Sequence, residues 1–119
     1  MLFRSRHEGR VVFLRGAAPG DLVEADLTGE GRFEHARMLR LLQPGAARVT
    51  APCPIVDRCG GCSLQQVSYA AQLAAKEELT ADALERIGGF ARGSYLLPAI
   101  IASPQQFRYR RREIGRAHV

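Results

Sequence analysis

Arg10-Val11-Val12-Phe13-Leu14-Arg15-Gly16-Ala17-Ala18-Pro19-Gly20-Asp21-Leu22-Val23-Glu24-Ala25-Asp26-Leu27 is the stretch from which the fold is read. It opens with a short run of β-formers over Arg10 to Leu14. Gly16 to Asp21 follows as a turn, with Pro19-Gly20 its strongest signal. From Leu22 to Leu27 the chain alternates, with Val23, Ala25 and Leu27 on one face and Glu24 and Asp26 on the other, the period of a half-buried strand. Gly29-Glu30-Gly31 makes a loop. Phe33 to Leu42 is a third apolar-rich stretch, interleaved with Arg32, Arg37 and Arg40 and ended by Gln43-Pro44-Gly45. A helix over residues 34–42 is also compatible. Short strands at this spacing within residues 4–50 predict a small barrel or meander.

The only cysteines lie beyond this segment, in Cys53-Pro54-Ile55-Val56-Asp57-Arg58-Cys59-Gly60-Gly61-Cys62. The spacing C-x5-C-x2-C gathers soft metal donors locally, and Gly60-Gly61 suits a backbone that curls tightly and aims N–H groups at sulfur. Pro52 and Pro54 fix φ on either side of Cys53 and bias residues 51 and 53 to extended geometry. Cys53, Cys59 and Cys62 are therefore the candidate metal ligands. Three readings stand: an iron–sulfur cluster, a structural zinc completed by a histidine or distant cysteine, and a redox pair at Cys59 and Cys62. The first two ordinarily need a fourth ligand, which must come from elsewhere. His7, His35 and His118 are isolated and read as surface or packing residues.

Residues 68–87 are the clearest helix, with Ser68 as N-cap, Gly88-Gly89 as stop, and an interior rich in Ala, Leu, Glu and Lys. Leu73, Leu79, Ala83, Leu84 and Ile87 form an apolar stripe expected to pack in the core. Leu96 to Ile101 reads as a strand or extended segment, broken at Ser103-Pro104, and Phe107 begins another. In that last piece Arg108, Arg110, Arg111 and Arg112 surround Tyr109. Guanidinium groups neutralise phosphates and aromatic rings stack on bases, so Arg108, Tyr109, Arg110 and Arg111 are candidate nucleic-acid contacts. Arg10, Arg15, Arg32, Arg37 and Arg40 are further candidates.

The chain has 119 residues, room for a small domain and part of another, and its 46% apolar content is ordinary for a globular protein. Its net charge of +5 favours an acidic partner, nucleic acid before membrane. No apolar run approaches the roughly 20 residues of a membrane span. Met1 to Gly9 has no apolar core or cleavage site, so no signal peptide is read there. Three clustered cysteines without a signal do not suggest a disulfide framework, and the expected location is cytoplasmic.

The ordered series Cys53-Pro54, Cys59-Gly60-Gly61-Cys62-Ser63-Leu64-Gln65-Gln66, Tyr69, Gln72 and Lys76, Pro98 to Ser103-Pro104, and Tyr109-Arg110 closely resembles the bacterial RNA uracil-5-methyltransferase family, 23S ribosomal RNA type. The segment Phe13 to Val23 is similar to that family's TRAM domain, a small OB-like barrel that binds RNA. Gln66 stands where His is more usual, and Gly45 where a Ser often follows the Pro.

The resemblance implies a mixed α+β fold. It divides the chain into a TRAM-like RNA-binding barrel at 1–50 whose first strand is missing, an iron–sulfur loop and helix at 51–92, and the start of a central region at 93–112. It implies that Cys53, Cys59 and Cys62 ligate a 4Fe–4S cluster whose fourth ligand lies outside this chain, that RNA is the partner, and that the parent forms 5-methyluridine with S-adenosylmethionine. The nucleophile, base and cofactor pocket belong to a further domain, so this piece is expected to be inactive. None of the three cysteines is the nucleophile, because a cluster-bound thiolate is not free to attack a base. Glu113 to Val119 departs from the family pattern and matches a reading frame of a common sequencing adapter, so residues 113–119 are expected not to be native. The rival reading is a stand-alone nucleic-acid-binding module with structural zinc.

Overall fold

In a computed structural model the chain is described over residues 3–28, 33–59 and 61–109. It contains β1 (Phe3–His7), β2 (Arg10–Leu14), β3 (Leu22–Thr28), β4 (Phe33–Gln43) and α1 (Tyr69–Arg86). Two compact units are present, Met1–Gln72 and Leu73–Val119. Residues 113–119, expected not to be native, lie outside the described residues.

In the first unit the four strands form one sheet in the order β1-β2-β4-β3. Glu8 and Gly9, at φ 48° and 78°, make the two-residue turn joining β1 to β2, with His7 paired to Arg10. Two consecutive positive φ values match the right-handed twist of a tight hairpin. β2 lies parallel to β4 with Val12 opposite Glu34 and Leu14 opposite Ala36, and β3 lies antiparallel to β4 along its length. Pairing along both edges of β4 makes residues 33–43 a strand, not the helix that residues 34–42 also allowed. A strand also precedes Arg10, at Phe3–His7, within the segment 4–50 read as β-structure but where the resemblance implied that a first strand is missing.

Val12, Leu14, Ala17 and Ala36 form the buried cluster, with Val23, Ala25 and Met38 packed against it. The alternation read in β3 thus holds for Val23 and Ala25. Leu27 departs from it at 45% exposure, beyond two register shifts that interrupt β3 near Leu22 and Glu24.

The second unit is built on the body of α1. The helix ends as expected, with Gly89 at φ 71°. Its apolar stripe is not a buried seam: Leu73 and Leu84 are half-buried, whereas Leu79, Ala83 and Ile87 are exposed. The chain after the helix returns along a different line of residues. Arg92 bonds Glu78 and Glu85, the Tyr95 hydroxyl donates to the Ala81 carbonyl at 3.4 Å, and the Ile100 N–H donates to Glu77 at 2.7 Å. That contact line runs along the polar flank of α1 and buries Ala81. Leu96 to Ile101 is not a strand; its backbone has no ladder partner among the described residues, and Leu96 and Ile101 are exposed.

Candidate functional site

The cysteine loop stands on a short two-sided foot. Arg48 and Val67 form an antiparallel bridge, the Ser68 N–H donates to the Ala47 carbonyl at 2.8 Å, and the Val49 N–H donates to the Gln66 carbonyl at 2.9 Å. From this foot Arg48 reaches into the β2–β3 turn. Its Nε and Nη2 donate to the Asp21 carboxylate at 2.7–3.0 Å, and Nη2 also donates to the Gly16 carbonyl at 2.8 Å. The same carboxylate accepts the N–H groups of Ala18 at 2.6 Å and Gly45 at 2.9 Å. The Asp21 side chain is 1% exposed. Burial pushes its pKa up, but the bonds from Arg48, Gly45 and Ala18, together with the Arg48 charge, outweigh burial and hold the carboxyl below its ordinary value.

Gly45 fits this turn only because it lacks a side chain. A Cβ there would sit 2.4 Å from the Pro19 carbonyl oxygen and 2.5 Å from the Gly20 carbonyl carbon. The difference from the serine of the resembled family is therefore coupled to the backbone of residues 19–21.

Three glutamines fasten the loop itself. Gln66 is buried, and its Nε2 donates to the Ala17 carbonyl at 3.0 Å and the Ser63 carbonyl at 3.2 Å. Gln72, in the first turn of α1, donates to the carbonyls of Leu64 at 3.0 Å and Val67 at 2.9 Å. Gln65 reaches across the loop, where its Oε1 accepts the Cys53 N–H at 3.2 Å. Between the first two cysteines the backbone makes a single helical turn, with the Val56 N–H bonded to the Cys53 carbonyl and the Cys59 N–H to the Ile55 carbonyl.

Cys53 is half-buried, Cys59 and Cys62 are exposed, and all three thiols are free. Cys53 lines a cleft of about 590 Å³ between Met38 and Leu41 of β4 and Pro54, Val56 and Asp57 of the loop. As donors, three free thiols in ten residues suit a soft metal or an iron–sulfur cluster. A Cβ at Gly61 would lie 3.4 Å from the Cys59 Sγ, so this backbone passes beside the thiol. In this conformation the structure does not converge them on one point: among the described residues no three His, Cys, Asp or Glu side chains are placed to enclose an ion.

The candidate RNA residues separate by face and by partner. Arg108 and Tyr109 are exposed, with Arg108 at φ 58°, and Arg110 and Arg111 lie outside the described residues. Arg10 bonds the buried Glu34 at 2.6 Å and Arg40 bonds Glu24 at 2.7 Å, so both are engaged in carboxylate pairs. Arg15 and Arg37 are exposed, and Arg32 is outside the described residues. On the sheet face opposite the core, Phe13 pairs in register with His35 and their rings approach at 5.8 Å. His35 is thus a surface residue, as read from sequence, but one that extends an aromatic face beside Arg37.

No protein-family model matches the chain. It is 42% identical over 117 residues to an uncharacterized RNA methyltransferase of Thermosynechococcus vestitus, covering 95% of this chain and 26% of that protein. It is 42% identical over 106 residues to a 23S rRNA (uracil(1939)-C(5))-methyltransferase of Pseudomonas putida, covering 88% and 23%. A protein of the same name from Dechloromonas aromatica is 38% identical over 109 residues, covering 91% and 25%. By sequence the chain is similar to bacterial RNA methyltransferases along about nine tenths of its length. It spans about a quarter of the length of these curated relatives. In this RNA methyltransferase relative, no helix among the described residues is long and apolar enough to cross a membrane. Gln65, Gln66 and Gln72 entered the sequence reading only as residues of the resembled motif, and the Asp21 cradle and the Phe13–His35 face were not singled out by sequence. Their signals were the Leu64-Gln65-Gln66 string, an acid closing a Pro-Gly turn, and a histidine two residues from an arginine on an alternating strand.

Proposed function

We propose that this chain is the RNA-holding and cluster-ligating portion of an S-adenosylmethionine-dependent methyltransferase that forms 5-methyluridine in 23S ribosomal RNA. The observation carrying the proposal is identity of 38–42% across about nine tenths of the chain to proteins named for that activity. The four-stranded sheet serves as the TRAM-like module, and Cys53, Cys59 and Cys62 hold a 4Fe–4S cluster once the loop draws its thiols together, with a fourth ligand from outside this chain. When bound, the cluster stabilises the loop and the surface it presents to RNA; it takes no part in methyl transfer. Methyl-transfer groups lie in the portion of the relatives that this chain does not match.

For RNA, the exposed Arg15, Arg37 and Arg108 supply phosphate contacts, and Phe13–His35 and Tyr109 supply stacking surface. The setting is the cytoplasm, where ribosomal RNA and reduced thiols coexist. The deciding experiment is iron, acid-labile sulfide and zinc analysis of anaerobically purified chain. Iron with sulfide, lost in Cys59→Ser, supports the proposal. Colourless protein with stoichiometric zinc replaces it with the structural-zinc module, and no metal at all overturns the ligand assignment.

A further inference from the structure

We infer that a glutamine frame fixes one thiol of the cysteine loop before any metal arrives, with Gln65 the positioning residue for Cys53. This rests on the reading of Cys53, Cys59 and Cys62 as metal ligands. A metal loop that folds only on loading leaves its polar backbone to water in the apo state. Here, beside the backbone bonds between residues 53 and 59, the loop is tied by side chains that are not metal donors. Gln66 ties the segment after Cys62 to the Ala17 carbonyl, 49 residues away, and Gln72 caps the carbonyls of Leu64 and Val67.

Gln65 does something different, because its bond goes to a ligand residue. Its Oε1 takes the N–H of Cys53 across 12 residues of loop. Pro52 and Pro54 restrict the backbone on both sides of that N–H, so one further bond fixes the cysteine's placement at the wall of the cleft. Cys53 is accordingly the half-buried member of the set, while Cys59 and Cys62 are exposed. Two loose thiols can close on a metal held at one fixed thiol with less ordering than three loose ones require.

The test is anaerobic titration of the metal-free 119-residue chain with cobalt(II), read by thiolate-to-metal charge-transfer absorbance, in wild type, Gln65→Met, Gln65→Glu and Cys59→Ser. Thermal melting of each metal-free protein is recorded alongside. Gln65→Met keeps the side chain's bulk without a comparable acceptor and is expected to weaken cobalt binding about 10-fold, the lower end for a residue that orients a ligand. Gln65→Glu, which keeps the acceptor, is expected to restore binding at the wild-type melting temperature. Equal affinity in Gln65→Met and wild type overturns the role of Gln65. Equal weakening in Gln65→Glu overturns the acceptor explanation. Equal cobalt binding in wild type and Cys59→Ser overturns the metal-site reading itself, and the proposal with it.

Discussion

Each unit of this chain contains an arginine that gathers carboxylate, and the two clusters differ in depth more than in chemistry. In the first, Arg48 is 16% exposed and holds an Asp21 side chain that is 1% exposed. In the second, Arg92 bonds Glu78 and Glu85 while it is 58% exposed and they are 64% and 28% exposed. The hydrogen bonds to Glu78 and Glu85, and then their charges, raise the Arg92 pKa. Around Arg92, however, water can replace whatever is lost. Around Asp21 it cannot. A buried pair contributes little net stability over an apolar substitute, but removing one member strands the other. Depth, not the number of bonds, should therefore decide which cluster controls its unit.

The strongest way to break this comparison is Arg48→Met. The change removes every guanidinium bond to Asp21 and the bond to the Gly16 carbonyl. Stranding a buried charge costs about 3–5 kcal/mol, most of the stability of a small domain. The expected result is loss of the cooperative urea transition of the first unit, followed by circular dichroism. A transition at the wild-type midpoint would place Arg48 with the exposed pairs.

Gly45→Ser comes next, and it probes the backbone side of the same cradle. Its Cβ meets main-chain atoms of Pro19, Gly20 and Asp21, which have no flexible end to move aside. Overpacking of this kind costs about 1–3 kcal/mol, read as a lower urea midpoint. An unshifted midpoint would mean that the β2–β3 turn moves freely and does not hold the Asp21 cradle rigid.

The pH dependence of stability sharpens the comparison further. The folded pKa of Asp21 is lowered, so the unfolded chain takes up this proton first as the solution is acidified. The contribution is complete above the unfolded value near 3.8 and is lost as pH falls through the folded one. In urea titrations from about pH 6 to about pH 3, wild type should lose stability more steeply than Asp21→Asn. Parallel curves would remove Asp21 as the source.

The legible parts of the sequence were those set by local chemistry. The β2–turn–β3 pattern, the α1 boundaries and the candidate thiols follow from period, capping and spacing. What stayed hidden depended on contacts between distant residues. Asp21 looked like the end of a turn, and only its approach by Arg48, 27 residues on, makes it a buried charge. Phe33 to Leu42 remained open between helix and strand because its edges are chosen by β2 and β3, not by its own residues. Gln66 showed as a departure from the family pattern, but its two carbonyl partners could not be read. The apolar stripe of α1 was legible as a stripe, whereas its exposure at Leu79 and Ile87 was not.

Arg92→Ala is the smallest expected effect and the control for the rest. Both carboxylates that it frees remain in contact with water, so neither acquires the penalty that Asp21 would. The urea midpoint should stay at the wild-type value. Any consequence should be local, in the return segment after α1, where the Ile100 N–H bonded to Glu77 would exchange with solvent faster. Amide hydrogen exchange followed beside the urea curve separates the two levels. Faster exchange at Ile100 with an unchanged midpoint is the signature of an exposed cluster that orders a segment without deciding the fold. A midpoint shift as large as that of Arg48→Met would show that burial does not distinguish the two arginines.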